Sequence, residues 1–334
     1  MTIKVGVIGA GNIGSYHIDR LAGRISGAVV SAVFDVVPDR AAEVAARIGA
    51  AAHLSAEAVI EDPAVDALLI ASPGELHAEQ VLGCIGVGKP VLCEKPLAPT
   101  TAECLKVVEA EVAHGRRLVQ LGFMRRYDPA YLSVKATIDS GAIGEPLMMH
   151  CVHRNPTVPD FFTSDMSLTD SVVHEVDTTR WLLGENIAAV TVLAGKASPR
   201  ASMQDPQLVL FEMASGVLVD VESFVNAQYG YDVRCEVVGS EGLASMDIPA
   251  LGTITHSGSS GVPVPADWKE RFDAAYHAEL QGWVSGLVSG ELSGADAWDG
   301  YAATAVAEAG LRARAEGRRV PVELVAMPEF YRRR

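Results

Sequence analysis

The sequence predicts two domains: an α/β domain with a doubly wound parallel sheet, followed by an α+β domain with a large, mainly antiparallel sheet. Three observations lead to this prediction. The chain has 334 residues, which suits two domains of roughly 100–200 residues each. Up to about residue 122, short β-branched runs alternate with longer amphipathic stretches, which is typical of βαβ units. Beyond about residue 146, strand-like runs follow one another directly, as they do in antiparallel sheets.

The first domain, residues 1–122, contains five predicted strands, at residues 3–8, 29–34, 66–71, 90–93 and 118–121. Pro38 suits the first position of a helix that ends at Ile48, because its fixed φ fits a helix and its missing N–H costs nothing there. Thr100 or Thr101 predicts the cap of a helix that runs to His114, and Gly115 predicts its end.

The second domain, residues 123–334, also contains five predicted strands, at residues 147–153, 189–193, 208–213, 217–225 and 233–238. The Ala214-Ser215-Gly216 connection predicts a hairpin turn between two of them. Residues 252–266 are rich in Gly, Ser and Pro and predict an exposed loop, followed by helices at about 267–290 and 295–316.

Composition excludes several classes of protein. The chain carries 27 basic and 42 acidic residues, a net charge of −15, so most of its surface repels phosphate backbones and nucleic acid is excluded as a partner. No run reaches the roughly 18 apolar residues that span a bilayer, and the first apolar stretch is too short for a signal peptide. We therefore expect no membrane association and a cytoplasmic location.

The five cysteines form no C-x-x-C pair, so neither a disulfide framework nor a zinc ribbon is expected. The sequence instead predicts buried, reduced thiols at Cys84, Cys93, Cys104, Cys151 and Cys235.

A glycine motif follows the first strand directly: Gly9-Ala10-Gly11-Asn12-Ile13-Gly14. In a G-x-G-x-x-G turn the first glycine allows the tight turn, the second admits a pyrophosphate to the backbone, and the third lets the helix pack on the strand. Free N–H groups at the helix N-terminus then bind the phosphates. Alone, the motif fits a structural turn equally well.

Asp35 decides between these alternatives, because it ends the second strand 21 residues after Gly14, where a carboxylate accepts hydrogen bonds from the adenosine ribose. Its charge would repel a 2′-phosphate, so NAD is favoured over NADP. Arg40 is the one nearby cation that weakens this preference.

Lys95 follows the strand at residues 90–93, within Cys93-Glu94-Lys95-Pro96. Ligands of open α/β sheets bind beyond the carboxyl ends of the strands. A lysine at a strand end is usually only solvated, but this one is predicted to lie near the nicotinamide.

A polar stripe occurs where residues 170–183 are predicted to be helical. Asp170, His174, Asp177 and Trp181 would share one helix face. A lone histidine on such a face is usually a core residue, but burying two carboxylates costs free energy, which suggests that they have a function. No second histidine stands at position 178, so a zinc-protease site is excluded. Metal binding by the stripe alone is an alternative, but we expect no metal.

The strand over residues 149–155 places Cys151, His153 and Asn155 on one face, because its side chains alternate with a period of two. His153 and Asn155 could bind a polyol, or they could simply be polar residues at a strand end.

Together these features resemble the glucose-fructose oxidoreductase, inositol dehydrogenase and MocA family over almost the full length. The resemblance lies in residues 6–11, 93–96 and 297–301. Three further segments resemble the inositol dehydrogenases of that family in particular: residues 122–128, 144–148 and 150–158.

The resemblance implies a Rossmann domain, an open-faced second sheet that pairs subunits into a homotetramer, and a cis Lys95–Pro96 bond. It also implies functional residues of three kinds. The catalytic group is Lys95, Asp170 and His174; the substrate contacts are Arg125, His153, Asn155, Asp177 and Tyr231; the cofactor residues are Gly9, Gly11, Asn12, Ile13, Gly14, Asp35, Ser72, Pro73, His77, Glu94 and Lys95.

The activity that the resemblance implies is NAD-dependent oxidation of a small polyol, myo-inositol, at C2 to the inosose. Two alternatives remain at this stage: the same chemistry on another cyclitol or a pyranose sugar, and a nucleotide-sensing regulator without catalysis. The presence of Lys95 and His174 argues against the regulator.

Overall fold

The computed structural model describes residues 2–246 and 252–332. They form two compact units, each built from more than one stretch of the chain. The first, here called the nucleotide unit, comprises Met1–Phe123, Tyr276–Thr304 and Val325–Arg334. The second, here called the sheet unit, comprises Met124–Ala275 and Ala305–Leu324.

The nucleotide unit contains a six-stranded sheet whose strands are all parallel, in the order β3-β2-β1-β4-β5-β6. This is the doubly wound order, which reverses direction between β1 and β4. Its strands are β1 (Ile3–Ile8), β2 (Ala28–Phe34), β3 (Ala51–Ala52), β4 (Ala67–Ile70), β5 (Val91–Cys93) and β6 (Val119–Leu121).

Five helices of this unit belong to its N-terminal stretch: α1 (Asn12–Gly23), α2 (Pro38–Ile48), α3 (Ala56–Glu61), α4 (His77–Gly86) and α5 (Thr101–His114). The predicted helix boundaries at α2 and α5 are confirmed. Pro38 is the first residue of α2, Thr100 accepts a hydrogen bond from the Glu103 amide, and Gly115 ends α5 in the left-handed conformation.

The sheet unit contains a seven-stranded sheet in the order β12-β11-β7-β10-β9-β8-β15. The prediction of a mainly antiparallel sheet is confirmed, with one exception: β7 and β10 pair in parallel. The strands are β7 (Pro146–Arg154), β8 (Ile187–Ala194), β9 (Gln207–Met213), β10 (Leu218–Phe224), β11 (Asp232–Gly239), β12 (Leu243–Met246) and β15 (Val320–Pro321).

The remaining helices follow from residue 129 onward. They are α6 (Pro129–Asp139), α7 (Val173–Leu183), α8 (Trp268–Arg271), α9 (Asp273–Ser289), α10 (Ala297–Glu316) and α11 (Glu329–Arg332). Within residues 2–246 and 252–332, no helix combines the length and apolarity needed to cross a membrane.

Residues 252–266, predicted to form an exposed loop, are mostly exposed but are not a loop throughout. The segment contains an exposed hairpin, β13 (Ile254–His256) with β14 (Ser259–Gly261). Its two turn residues, Ser257 and Gly258, have φ values of 50° and 78°, and two successive positive φ angles match the twist of a tight hairpin. The Ser257-Gly258 pair is the sequence signal that could have found this hairpin.

Strands β1 and β4 of the nucleotide unit are buried almost throughout, whereas burial alternates along strands of the sheet unit. In the nucleotide unit, β1 and β2 pack with α1 in one apolar cluster that also contains Trp283 of α9. In the sheet unit, alternate residues of β9 and β11 are buried. All five cysteines are buried and unbridged, which confirms that prediction.

Candidate active site

The glycine turn after β1 has the geometry that the motif predicts. Gly9 has φ +95°, and a Cβ there would lie 2.5 Å from the Ala71 carbonyl oxygen. A Cβ on Gly14 would lie 2.0 Å from the Gly9 carbonyl oxygen, so only glycine lets α1 start this close to the strand. Around Gly11, by contrast, nothing lies within 4 Å of a built Cβ. The turn is therefore tight inside and open at the position where a phosphate would approach.

A cavity of about 240 Å³ lies beside this turn. Of the predicted cofactor residues, Gly9, Gly11, Asp35, Ser72 and Pro73 line it, whereas Asn12, Ile13, Gly14, His77, Glu94 and Lys95 do not. Its other lining residues were not predicted as cofactor contacts: Ile8, Phe34, Val36, Arg40, Ala71, Leu76 and Gln80. Apolar walls with one carboxylate suit an adenosine group.

Asp35 is buried and organises one side of the cavity. Its Oδ2 accepts a hydrogen bond from the Ala10 amide at 2.7 Å, and its Oδ1 accepts one from the Val37 amide at 2.8 Å. The Arg40 guanidinium lies 3.2 Å from Oδ1. Asp35, which favours NAD, therefore also binds Arg40, the residue that weakens this preference.

His77 joins two segments of the nucleotide unit instead of lining the cavity. Its Nδ1 lies 2.7 Å from the Pro96 carbonyl oxygen and its Nε2 lies 2.8 Å from the Ser72 carbonyl oxygen. The ring therefore fixes the chain after Lys95 relative to the loop after β4. Ser72 in turn donates to Gln80 through its hydroxyl.

Lys95 is half-buried and lies two residues after the end of β5, and the expected cis Lys95–Pro96 bond is present. Its amide donates to the Glu94 carboxylate at 3.2 Å, and the other oxygen of Glu94 contacts His17 Nε2 at 2.7 Å. Both Glu94 and His17 are buried. His17, which sequence reasoning missed, thus fixes the residue that precedes Lys95.

The predicted polar stripe of residues 170–181 is only partly regular. Ser167–Val172 forms a π-helix, and the α-helix begins at Val173. The wider winding around Asp170 changes its angular offset from His174, so the two do not follow the α-helical stripe that the spacing predicts. His174 is 8% exposed and Asp170 is half-buried. Such π segments are frequent at functional sites.

A buried polar cluster lies in the sheet unit and is defined here by Arg125, His153 and Glu175. Arg125 and Glu175 form an ion pair between Nη1 and Oε1, with both side chains about 1% exposed. His153 Nδ1 lies 2.9 Å from Glu175 Oε2. Two predicted substrate residues are thus brought together by Glu175, which sequence reasoning missed.

The other predicted substrate residues lie in the same unit. Asp177 is fully buried, and Arg126 donates to both of its carboxylate oxygens, at 2.9 and 2.6 Å. The Tyr231 ring is 6.2 Å from the His153 ring. Asn155 Oδ1 is buried with no hydrogen-bond partner among residues 2–246 and 252–332. A buried carbonyl oxygen without a partner is a candidate acceptor for a ligand hydroxyl.

Glu175 makes the sheet unit sensitive to acid. Burial alone would raise the pKa of its carboxyl, but the charge of Arg125 and the hydrogen bonds from His153 and Arg125 outweigh burial and lower the pKa below 4.5. Stability contributed by this group is therefore present above about pH 4.5 and lost as the pH falls through the folded pKa.

We expect Glu175→Gln to lower the free energy of unfolding at pH 7 by about 3–5 kcal/mol, because it leaves Arg125 buried without its charge partner. Urea unfolding at pH 7 and at pH 4 measures this. The difference between the two proteins should shrink at pH 4. An equal difference at both pH values would contradict a charged Glu175.

No three histidine, cysteine, aspartate or glutamate side chains are grouped as metal ligands in the part of the chain that the structure describes.

Comparison with known proteins gives concordant results. Residues 3–123 match a family model described as an oxidoreductase family with an NAD-binding Rossmann fold, and residues 131–245 match the GFO/IDH/MocA C-terminal domain. The chain is 50% identical to inositol 2-dehydrogenase 1 of Saccharopolyspora erythraea, over 99% of each chain. It is 49% identical to an inositol 2-dehydrogenase of Burkholderia cenocepacia, over 99% of this chain and 100% of that one.

Among solved structures, the fold resembles that of a myo-inositol dehydrogenase from Lactobacillus casei, crystallised with NAD(H) and myo-inositol. The TM-score is 0.96 at 33% identity, covering 99% of this chain and 100% of that one.

Proposed function

Because the chain belongs to the GFO/IDH/MocA oxidoreductase family, we propose that it oxidises myo-inositol at C2 to 2-keto-myo-inositol (scyllo-inosose), with NAD as the oxidant. The observation that carries this proposal is the identity of about one half, over the whole chain, to proteins named inositol 2-dehydrogenase. The open space above Gly11 and the Asp35 carboxylate beside the same cavity fit a dinucleotide.

The mechanism assigns one task to each proposed catalytic residue. When bound, NAD would supply the hydride acceptor for this oxidation. His174 accepts the proton of the reacting hydroxyl, since imidazole is the side chain suited to proton transfer near neutral pH. Asp170 stabilises the protonated ring, as carboxylates do in other His-carboxylate pairs. Lys95 donates a hydrogen bond to the reacting oxygen and stabilises its developing charge.

The polyol hydroxyls are proposed to be bound by residues of the sheet unit, and the cofactor by residues of the nucleotide unit. Asn155 supports the first assignment, because its Oδ1 is buried without a partner among the described residues. The substrate contacts are Arg125, His153, Asn155, Asp177 and Tyr231. Ser72, Pro73, His77 and Glu94 complete the cofactor side together with Gly9, Gly11, Asn12, Ile13, Gly14, Asp35 and Lys95.

The test of the proposed function is NADH formation across a panel of inositol isomers and aldoses, with NAD and NADP each supplied. The expected result is the highest kcat/KM with myo-inositol and NAD, and the inosose as product. A clear preference for another substrate would assign the chain to another cyclitol or a pyranose sugar. No turnover with any polyol would favour a regulator.

Cofactor preference gives a further prediction. We expect Asp35→Ser to lower the ratio of kcat/KM for NAD to that for NADP at least about tenfold, since hydrogen bonds to charged groups are worth roughly 1.5–3 kcal/mol. The substitution removes the ribose acceptor and frees the Arg40 guanidinium, now 3.2 Å from the carboxylate, for a 2′-phosphate. The control is Asp39→Ser, which removes an exposed charge from the first turn of α2. An unchanged ratio would contradict the role of Asp35.

A homotetramer is proposed to form through the open face of the large sheet. By strand register, Leu218 of β10 lies beside Met148 of β7 on this face, and Val238 of β11 lies beside Leu243 of β12. Leu218, Met148 and Leu243 are 50%, 42% and 56% exposed. Contiguous apolar surface of this kind is typical of subunit interfaces. Sedimentation equilibrium should give four times the chain mass, and Leu218→Asp should lower it.

A cytoplasmic location is also proposed. It rests on five cysteines that are all buried and unbridged, a state that suits a reducing compartment. Burial raises the pKa of the Cys84 thiol to about 12, so this thiol stays protonated and unreactive.

A further inference from the structure

In the buried polar cluster, Arg125 and Glu175 both lie within hydrogen-bond distance of one atom, His153 Nδ1. Arg125 Nη2 lies 3.2 Å from this nitrogen, whereas Glu175 Oε2 and Oε1 lie 2.9 and 3.0 Å from it. A guanidinium only donates hydrogen bonds and a carboxylate only accepts them. Arg125 would therefore favour a bare Nδ1, and Glu175 favours a protonated one.

The distances and charges favour Glu175 over Arg125 as the hydrogen-bond partner of His153 Nδ1. Both carboxylate oxygens are nearer to Nδ1 than the guanidinium nitrogen is. Arg125 already donates to the same carboxylate through Nη1. The hydrogen bond made by one ring nitrogen fixes the proton on a neutral imidazole. With the proton on Nδ1, Nε2 is left with a lone pair.

We propose that Glu175 is a positioning residue that fixes His153 as the Nδ1–H tautomer, so that His153 Nε2 is an acceptor for a substrate hydroxyl. The inference rests on the proposed function and deepens it. His153 and Asn155 stand two residues apart, at the end of β7, so their side chains leave the same face of the chain. Asn155 Oδ1 is a second acceptor, buried without a partner among the described residues.

Two acceptors on one face recognise a particular chemistry. They bind a ligand through hydroxyl hydrogens, and they offer nothing to a carbonyl oxygen or a carboxylate, which can only accept. Under the proposed function, these donors are neighbouring hydroxyl groups of the polyol. The same arrangement disfavours the ketone product at these positions, because a new carbonyl cannot donate.

The first experiment measures the tautomer directly in the substrate-free protein. Solid-state 15N spectra of the full chain labelled at histidine distinguish protonated from bare ring nitrogens, and comparison with His153→Asn identifies the His153 signals. At pH 7.5 the expected result is a protonated Nδ1 and a bare Nε2. A bare Nδ1, or a doubly protonated ring, would overturn the proposal. This measurement needs no turnover and no Glu175 variant.

The second experiment exchanges the carboxylate for an amide. In Glu175→Gln the amide N–H and Arg125 Nη2 can both donate to Nδ1, which moves the proton to Nε2. The 15N spectrum should then show a bare Nδ1. We expect KM for myo-inositol to rise about tenfold, because the substrate hydroxyl loses its acceptor at His153 Nε2 and must turn to accept a hydrogen bond instead. KM for NAD should change less than about twofold and kcat less than about threefold.

Glu185→Gln is the matched control. Glu185 also accepts two hydrogen bonds, but from the amide and hydroxyl of Ser215 and not from a histidine. This variant should keep the wild-type 15N spectrum and KM.

A loss of kcat in Glu175→Gln with an unchanged tautomer would refute the positioning role. If the tautomer is as expected but the protein prefers another polyol, the proposed substrate is refuted and the role of Glu175 stands.

Discussion

Lys95→Ala is expected to lower kcat for polyol oxidation about 10²- to 10³-fold, the usual effect of removing a donor that stabilises a developing oxyanion. Lys95 is also proposed on the cofactor side, but affinity for NAD should change less than about threefold, because Lys95 does not line the cavity beside the glycine turn. Pre-steady-state NADH formation gives the rate of the chemical step, and titration of protein fluorescence with NAD gives the dissociation constant.

The matched control for this variant is Lys89→Ala in the same unit. Lys89 Nζ donates to the Ile60 and Asp62 carbonyl oxygens, so it has a structural task only. It should lower stability and leave kcat nearly unchanged. If Lys95→Ala retained more than about a third of the wild-type kcat, the electrostatic role of this lysine would be untenable.

His174→Gln is the second substitution with a large expected effect, a fall in kcat of about 10²- to 10⁴-fold, which is the usual contribution of a general base. The oxidation releases the hydroxyl proton through this base, so a lower proton concentration favours it. Wild-type oxidation should therefore speed up from pH 7 to mildly alkaline pH, whereas the residual rate of the variant should depend on pH only through hydroxide.

The control for His174 is His256→Gln, on the exposed hairpin β13–β14. Its pH profile should match that of the wild type. A wild-type rate that fell steadily from pH 7 to pH 9, with the protein still folded by circular dichroism, would exclude His174 as the base.

Local signals in the sequence predicted much of the nucleotide unit. The glycine turn, the strand that ends near Asp35 and the caps of α2 and α5 each depend on a few neighbouring residues. Glycine is required where φ is positive or where a Cβ would meet a backbone oxygen, as at Gly9 and Gly14. Proline and threonine fix helix starts in the same local way.

Short and non-local elements were not predicted. The two-residue strands β3 and β15 are too short to show periodicity. The parallel pairing of β7 with β10 joins Met148 to Leu218, which are far apart in the chain. Likewise, Trp283 of α9 belongs to the apolar cluster of the nucleotide unit, although it follows most of the sheet unit in sequence.

The candidate site shows the same difference between local and non-local features. The chemical groups of the site could be predicted from the sequence: the glycine cradle, Asp35, Lys95 and the polar residues of β7 and α7. The contacts of each group could be read only from the folded chain. Neither Glu175 nor Arg126 was predicted to contact a site residue, yet they bind the side chains of His153 and Asp177, respectively. A buried charge needs a partner that is often distant in the sequence, whereas the periodicity of strands and helices depends on neighbouring residues.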